Sequence, residues 1–215
     1  MSKQRLVVIG NGMAGARAVE EILARGGAEL FDIVMFGDEP YGNYNRILLS
    51  NVVSGVQDPS EIFLNSLPWY EENDIRLHAG VRATAIDRVG KRVIGEGGVV
   101  EPYDKLLIAT GSRPFIPPIE GARDAVGKLR SGVFGFRTLD DCHAIMKSAA
   151  TCKKAVVIGG GLLGLEAARG LLTHGCEVHV VHLAQQLMNQ QLDRAASNIL
   201  RASMETMGVT IHLGR

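Results

Sequence analysis

One phrase occurs twice in this 215-residue chain, and it restricts the possible folds more than any other feature. Val7-Val8-Ile9-Gly10-Asn11-Gly12-Met13-Ala14-Gly15 recurs as Val156-Val157-Ile158-Gly159-Gly160-Gly161-Leu162-Leu163-Gly164. A repeat of this kind means that the same local packing problem is solved twice. In each copy a β-branched run enters Gly-x-Gly-x-x-Gly and leaves as a helix-forming stretch, Ala16 to Ala24 and then Leu165 to Leu172. A second β-branched run follows, Phe31 to Phe36 and Glu177 to Val181. The order is strand, tight turn, helix, strand, and a helical crossover of that length makes the two strands parallel.

Such a turn has a specific chemistry. The first glycine permits the tight turn, the second lets backbone approach a pyrophosphate, and the third lets the helix close on the strand. The helix start adds unpaired N–H groups and positive potential. One copy is weak evidence, because glycine turns punctuate any α/β protein; two copies in the same context are strong evidence. The expected fold class is therefore α/β, with two tandem Rossmann-like dinucleotide-binding units, the second incomplete. The expected limits are 1–118 for the first unit, 119–148 for a connecting segment and 149–215 for the second unit, with Pro114 to Pro118 marking the exit from the first.

A carboxylate at the end of the second strand would accept both hydroxyls of an adenosine ribose. The first copy has Asp38 and Glu39 there, which read either as that selector or as an acidic turn before Pro40. The second copy has His182, which neither repels a 2′-phosphate nor binds it as Arg would, so NAD and NADP stay open.

Charge excludes other classes. Lys+Arg and Asp+Glu are 23 each, with no basic cluster for nucleic acid or a membrane surface. Cys142, Cys152 and Cys176 are an odd number at wide spacings, and His78, His143, His174, His179 and His212 show no ligand spacing. No metal site is expected in these residues, and a reduced cytoplasmic protein fits best. The apolar run at the start is too short for a signal peptide, and Ala155 to Leu165 falls well short of the ~20 residues that span a bilayer.

Between the repeats, Tyr103-Asp-Lys-Leu-Leu-Ile-Ala109-Thr110-Gly111-Ser-Arg-Pro114 reads as a buried strand with a small-residue exit. With the repeat, it resembles the Ala-Thr-Gly signature of the two-dinucleotide-binding-domain flavoproteins. Gly37-Asp38-Glu39-Pro40-Tyr41-Gly-Asn-Tyr44-Asn45-Arg46-Ile-Leu-Leu-Ser50 is similar to a segment of their ferredoxin-reductase and nitrite-reductase branch. The resemblance implies FAD pyrophosphate at Gly10, Gly12, Ala14 and Gly15, with Met13 inside the same turn. It implies FAD ribose at Asp38 or Glu39, FAD phosphate or adenosine at Arg46, and backbone to adenine at Ala83. Ala109, Thr110, Gly111 and Arg137 would line the flavin. By the same resemblance NAD(P)H would lie at Gly159, Gly161, Leu162, Leu163 and Gly164, with Glu166 on the first helical turn near the nicotinamide and His182 at the ribose.

Ferredoxin reductases usually carry Lys after that Leu-Ser, close to the flavin ring; here the residue is Asn51. Asn51, together with Gly159 to Ala168 and Leu187-Met-x-x-Gln191-Leu192-Asp193, is similar instead to NAD(P)H-dependent nitrite reductase large subunits. Residues 41–60 contain no cysteine, so the thiol of the disulfide-reducing relatives is missing. Electrons would pass from NAD(P)H to FAD and then to a metal centre, a small carrier protein or O₂. No catalytic side chain is nominated, since the cofactors carry that chemistry.

Beyond His182 the pattern predicts an amphipathic helix from Leu192 to Met207 and a strand from Gly208 to His212. The resemblance implies that a complete member continues with more of both domains and an interface domain, with a homodimer possible. A nitrite reductase would add iron–sulfur and sirohaem modules. These 215 residues are therefore expected not to reduce nitrite alone, and to hold FAD weakly. Two alternatives stay open: a rubredoxin- or ferredoxin-type reductase, and a non-enzymatic flavin-binding redox-sensing module, the latter favoured only by His182.

Overall fold

A computed structural model describes residues 2–215. In chain order the elements are β1 Gln4–Ile9, α1 Met13–Ala24, β2 Phe31–Gly37, β3 Asn43–Tyr44, α2 Leu49–Val53, β4 Phe63–Asn65, α3 Leu67–Glu72, β5 Ile75–Ala79 and β6 Ala83–Asp87. They continue with β7 Arg92–Gly95, β8 Val100–Pro102, β9 Lys105–Ile108, α4 Leu139–Ala149, β10 Lys154–Ile158, α5 Leu162–Thr173, β11 Glu177–His182, α6 Arg194–Thr206 and β12 Thr210–Leu213. Both helices after the glycine turns begin three residues earlier than the apolar pattern predicts, because the last glycine of each turn is already helical.

The chain forms two compact units, one running through Asn45 and resuming over Ile62–Arg113, the other made of Arg46–Glu61 and Pro114–Arg215. The first is built on a four-stranded sheet in the order β5-β2-β1-β9, with every neighbouring pair parallel. Successive residues of a strand point to opposite faces, so a sheet covered on both sides buries an unbroken run. Val7 and Val8 on β1 and Val34 and Met35 on β2 are all fully buried. Val8 and Met35 join Val19 of α1 and Tyr70 of α3 on one face. Val7, Val34 and Phe36 meet Val93 on the other, where the antiparallel sheet β6-β7-β8 covers them. That cover is also tied by charge: Glu101 on β8, 7% exposed, accepts from His78 of β5 at 2.8 Å and Arg76 at 3.2 Å.

The strand before Ala109 is not buried as expected. It is the edge strand β9, and although Leu106 and Leu107 pack to either side, Ile108 is 60% exposed.

The second unit carries the parallel sheet β10-β11-β12. Val178, Val180 and Ile211 pack with Leu165 and Ala168 of α5 and Met204 of α6, whose start is capped by the Asp193 carboxylate. Residues 46–61, expected in the first unit, belong to this one. Gly170 explains how: a side chain there would press on Val53, while Thr173 Oγ1 donates to Ser54 O at 3.1 Å and His174 Nε2 lies 2.7 Å from Val53 O. Residues 119–148, expected as a connection, contain most of α4, held at its start by a Thr138–Asp141 capping box.

Cys152 and Cys176, far apart in sequence, bring their sulfurs to 3.4 Å. Burial, and then the neighbouring Cys152, push the Cys176 thiol up to about 11. Between its ordinary value and 11 the folded state keeps a proton that the unfolded chain has lost, so stability falls as pH rises through that window. Urea unfolding from pH 8 to 11 is expected to show this slope, and Cys176→Ala to flatten it. In the first unit, Phe36→Ala is expected to cost ~3–5 kcal/mol through the cavity it leaves, whereas Val89→Ala on the surface should stay within ~0.5 kcal/mol.

Candidate functional site

The two glycine turns are built alike. Gly10 follows β1 with φ +113°, donates its N–H to Phe36 O at 2.9 Å, and leaves no room for a Cβ against Ala109 O. Ala109, at the exit of β9, donates to Ile9 O at 2.8 Å, which brings Ala109, Thr110 and Gly111 beside this turn. A Cβ on Gly15 would overlap Gly10 O, so α1 closes directly on the turn. In the second copy Gly159 has φ +116° and donates to Val181 O at 2.9 Å, and a Cβ on Gly164 would overlap Gly159 O.

The middle glycine obeys a different rule. Gly12 and Gly161 have ordinary extended backbone, open to any residue. A Cβ on Gly161 would meet nothing within 4 Å. Neither conformation nor internal packing demands glycine at Gly161, and the space in front of it is open to close approach by backbone or ligand.

The helix starts agree. A helix leaves its first N–H groups without internal partners, and side chains commonly cap them. Thr138 caps α4 and Asp193 caps α6. α1 and α5, the two helices that rise from the glycine turns, have no side-chain cap and no acidic residue in the first turn. Their donors and positive potential point outward through Met13 and Ala14 in one copy, and through the exposed Leu162 and Leu163 in the other. Glu166 is not on the first turn as expected. α5 starts at Leu162, so Glu166 lies one turn further in, half-buried.

The ribose-selector positions are more crowded than the sequence suggests. Asp38 receives the guanidinium of Arg82 as a fork, Nε to Oδ1 at 2.9 Å and Nη2 to Oδ2 at 2.5 Å, and this pairing raises the pKa of Arg82. Glu39 accepts from the Tyr44 hydroxyl at 2.6 Å. Arg82 had no sequence signal, while Tyr44 was visible only as part of the Tyr-x-Arg segment. The Asp38–Arg82 pair is solvent-exposed, a setting in which ion pairs contribute only ~0–1 kcal/mol, so a ligand hydroxyl would compete easily. Ala83 follows Arg82 and opens β6, paired with Gly95.

In the second unit His182 ends β11 against Gly160, with its Nε2 3.3 Å from Asn189 Oδ1, a partner the sequence did not indicate. Arg46 and Arg137, 91 residues apart, come together there, Arg46 Nη1 donating to Arg137 O at 3.0 Å. Asp141 accepts from the Arg137 N–H at 2.9 Å, so the α4 cap fixes this arginine's backbone. Asn51 donates to Gln57 Oε1 at 2.9 Å, and its carbonyl closes the end of α2 by accepting from Val56 N and Ser54 Oγ. An open depression of about 970 Å³, lined by Lys128, Arg130, Phe134 and Lys147 among others, includes no residue of either turn. Among the described residues, no group of three or more His, Cys, Asp or Glu is placed to hold a metal ion, and no helix is long and apolar enough to cross a membrane.

Comparison with known proteins adds the following. The sequence profile of the pyridine nucleotide-disulphide oxidoreductase family matches residues 4–215. The chain is 49% identical over 213 residues to nitrite reductase [NAD(P)H] of Bacillus subtilis, covering 99% of this chain and 26% of that protein. It is 47% identical over 213 residues to the assimilatory nitrate reductase electron transfer subunit of the same organism, covering 99% of this chain and 27% of that one. The chain thus spans about a quarter of the length of these relatives. Among solved structures, NADH:rubredoxin oxidoreductase from Clostridium acetobutylicum superposes with a TM-score of 0.85 at 26% identity, over 100% of this chain and 53% of that one.

The glycines of the turns should separate in stability. Gly10→Ala forces a strained φ and a backbone overlap and is expected to cost at least ~2 kcal/mol, whereas Gly161→Ala should stay within ~0.5 kcal/mol of the parent. Denaturant titration of both variants checks the contrast.

Proposed function

We propose, from the premise that this chain belongs to the pyridine nucleotide-disulphide oxidoreductase family, that its first glycine turn holds FAD, its second holds NAD(P)H, and it passes electrons from one to the other. The observation that carries the reading is the pair of uncapped helix starts, each rising from a glycine turn, in a chain that caps its other long helices. The residues fit both groups: Gly161 faces open space, and the donors of each helix start are not taken by side chains.

In this reading Gly10, Gly12, Met13, Ala14 and Gly15 bind the FAD pyrophosphate through backbone, and Asp38 or Glu39 takes the ribose. Arg82 and Tyr44 hold those carboxylates in place beforehand. Ala83 contributes backbone to adenine, and Ala109, Thr110, Gly111, Arg46 and Arg137 serve the flavin. Gly159, Gly161, Leu162, Leu163 and Gly164 bind the NAD(P)H pyrophosphate, with Glu166 near the nicotinamide. His182, beside Asn189, stands at the ribose, where it neither repels a 2′-phosphate nor binds it as firmly as an arginine would, so NADH and NADPH both stay open. When bound, FAD would supply hydride acceptance and onward electron transfer, and the chain's own residues would position it.

The 49% identity supports the finer proposal that these residues are the flavin module of a nitrite reductase large subunit, acting in the cytoplasm. Iron–sulfur and sirohaem groups would then lie in other parts of the protein and receive the electrons. The 47% identity supports a second reading, the electron-transfer subunit of an assimilatory nitrate reductase. The rubredoxin-type alternative draws on a more distant likeness at 26%. All three share the first step.

In the full-length protein, stoichiometric flavin with the oxidised band at ~450 nm and rapid bleaching by NADH or NADPH are expected. A protein that takes up flavin but is bleached by neither cofactor would leave only the interaction-module reading. Gly161→Ala should keep the flavin and raise the KM for the pyridine nucleotide about tenfold, because a methyl group now stands where the pyrophosphate must approach. An unchanged KM would remove the second turn from the site.

A further inference from the structure

The two turns differ at three positions, and at the one between the first two glycines only the first copy has a side chain that neighbouring elements can hold. Where the second copy has Gly160, the first has Asn11, between Gly10 and Gly12. Asn11 Oδ1 accepts from the hydroxyl of Tyr70 at 2.7 Å, and Asn11 Nδ2 donates to Tyr41 O at 3.3 Å. The Tyr70 oxygen in turn accepts from the Asn43 N–H at 3.2 Å. Gly37, at the end of β2, leaves only 3.1 Å between a would-be Cβ and Asn11 Cβ, and a Cβ on Gly42 would overlap Asn65 O. One amide therefore joins the glycine turn, the end of β2 and residues 41–43.

Tyr70 also packs in the core beside Val8 and Met35, which a phenylalanine would do equally well. The hydroxyl is what a purely packing role does not explain. It is 1% exposed as a residue, a burial that is costly for a polar group unless it is bonded. It donates to Asn11 within the glycine turn and accepts from the Asn43 N–H at the start of β3. Burial raises the Tyr70 pKa, so the hydroxyl stays a neutral donor at neutral pH. In the second turn, Gly160 carries no side chain to hold; it is packed by Leu187 and His182 instead.

We propose that Tyr70 and Asn11 are positioning residues that pre-organise the first glycine turn, so that affinity for the dinucleotide there depends on a hydroxyl which does not touch it. A turn fixed in advance loses less freedom on binding and holds its ligand more tightly. The second turn has no side-chain brace of this kind and is held at Gly160 by one backbone bond, its carbonyl accepting from the Met188 N–H at 2.9 Å. The chain thereby separates a resident dinucleotide from an exchanging one. This inference rests on reading the first turn as the FAD site.

The test is the FAD dissociation constant of the full-length flavoprotein, measured by flavin fluorescence after reconstitution, for Tyr70→Phe, Asn11→Ala and the double variant. Tyr70→Phe should weaken FAD binding about five- to tenfold, as expected for one lost hydrogen bond with a buried partner left unpaired. The KM for the pyridine nucleotide should not move. Because both residues act through one bond, the double variant should be within about twofold of Asn11→Ala alone. Ile33→Val, a core change in the same cluster, is the control and should leave the FAD constant unchanged while lowering the Tm. The proposal is overturned if Tyr70→Phe lowers the Tm with no change in FAD affinity, if the control weakens FAD as much, or if the two single effects multiply. Should Tyr70→Phe fail to fold, Asn11→Ala alone decides, since an unchanged FAD constant there has the same meaning. A parent protein that takes up no flavin removes the first-turn reading and this inference together, whereas tight parent binding with indifferent variants removes only this one.

Discussion

In both copies of the repeat a helix is set against its strand with no space for a methyl group between them. Gly15 over Gly10 O and Gly164 over Gly159 O are contacts that only hydrogen can make. Everything else at the turns follows from that closeness. It draws the helix axis over the strand end, aims the first N–H groups outward, and lets the parallel strands finish at the same level, with Gly10 bonded to β2 and Gly159 to β11. A longer side chain at either contact would tilt the helix and scatter the donors that make the turn useful.

Around that shared frame the copies have diverged through side chains. The first turn is surrounded by engaged polar groups: Asn11 with Tyr70, Asp38 with Arg82, and Glu39 with Tyr44. The second has Gly160 and His182 with Asn189, a lighter arrangement. The same backbone therefore carries two different sets of side-chain contacts, and the difference comes from which side chains reach the turn from neighbouring elements. This agrees with the general pattern that fold supplies the location of a site and side chains supply its character.

The fold was largely readable because its signals are local. β-branched runs, glycine spacing and the amphipathic stretch that became α6 each depend on residues within a few positions. The parallel pairings follow from the length of the crossover. What was not readable came from long-range contacts. The guanidinium of Arg82 reaches Asp38 across 44 residues, Tyr70 reaches Asn11 across 59, and Cys152 meets Cys176 across 24. Glu166 was misplaced by one turn for a local reason, because the helix takes in the last glycine of the phrase and starts early. The edge position of β9 was hidden by its apolar composition, which is the same for a central strand.

The path of the chain between its units has a consequence for biosynthesis. Residues 46–61 are made early, yet they pack on α5, and His174 reaches Val53 across 121 residues. On the ribosome this stretch emerges well before its partner exists. Leu49, Val52 and Val53, all buried in the finished fold, spend that interval exposed as an apolar strip. Burial of that strip therefore has to wait until α5 has left the exit tunnel.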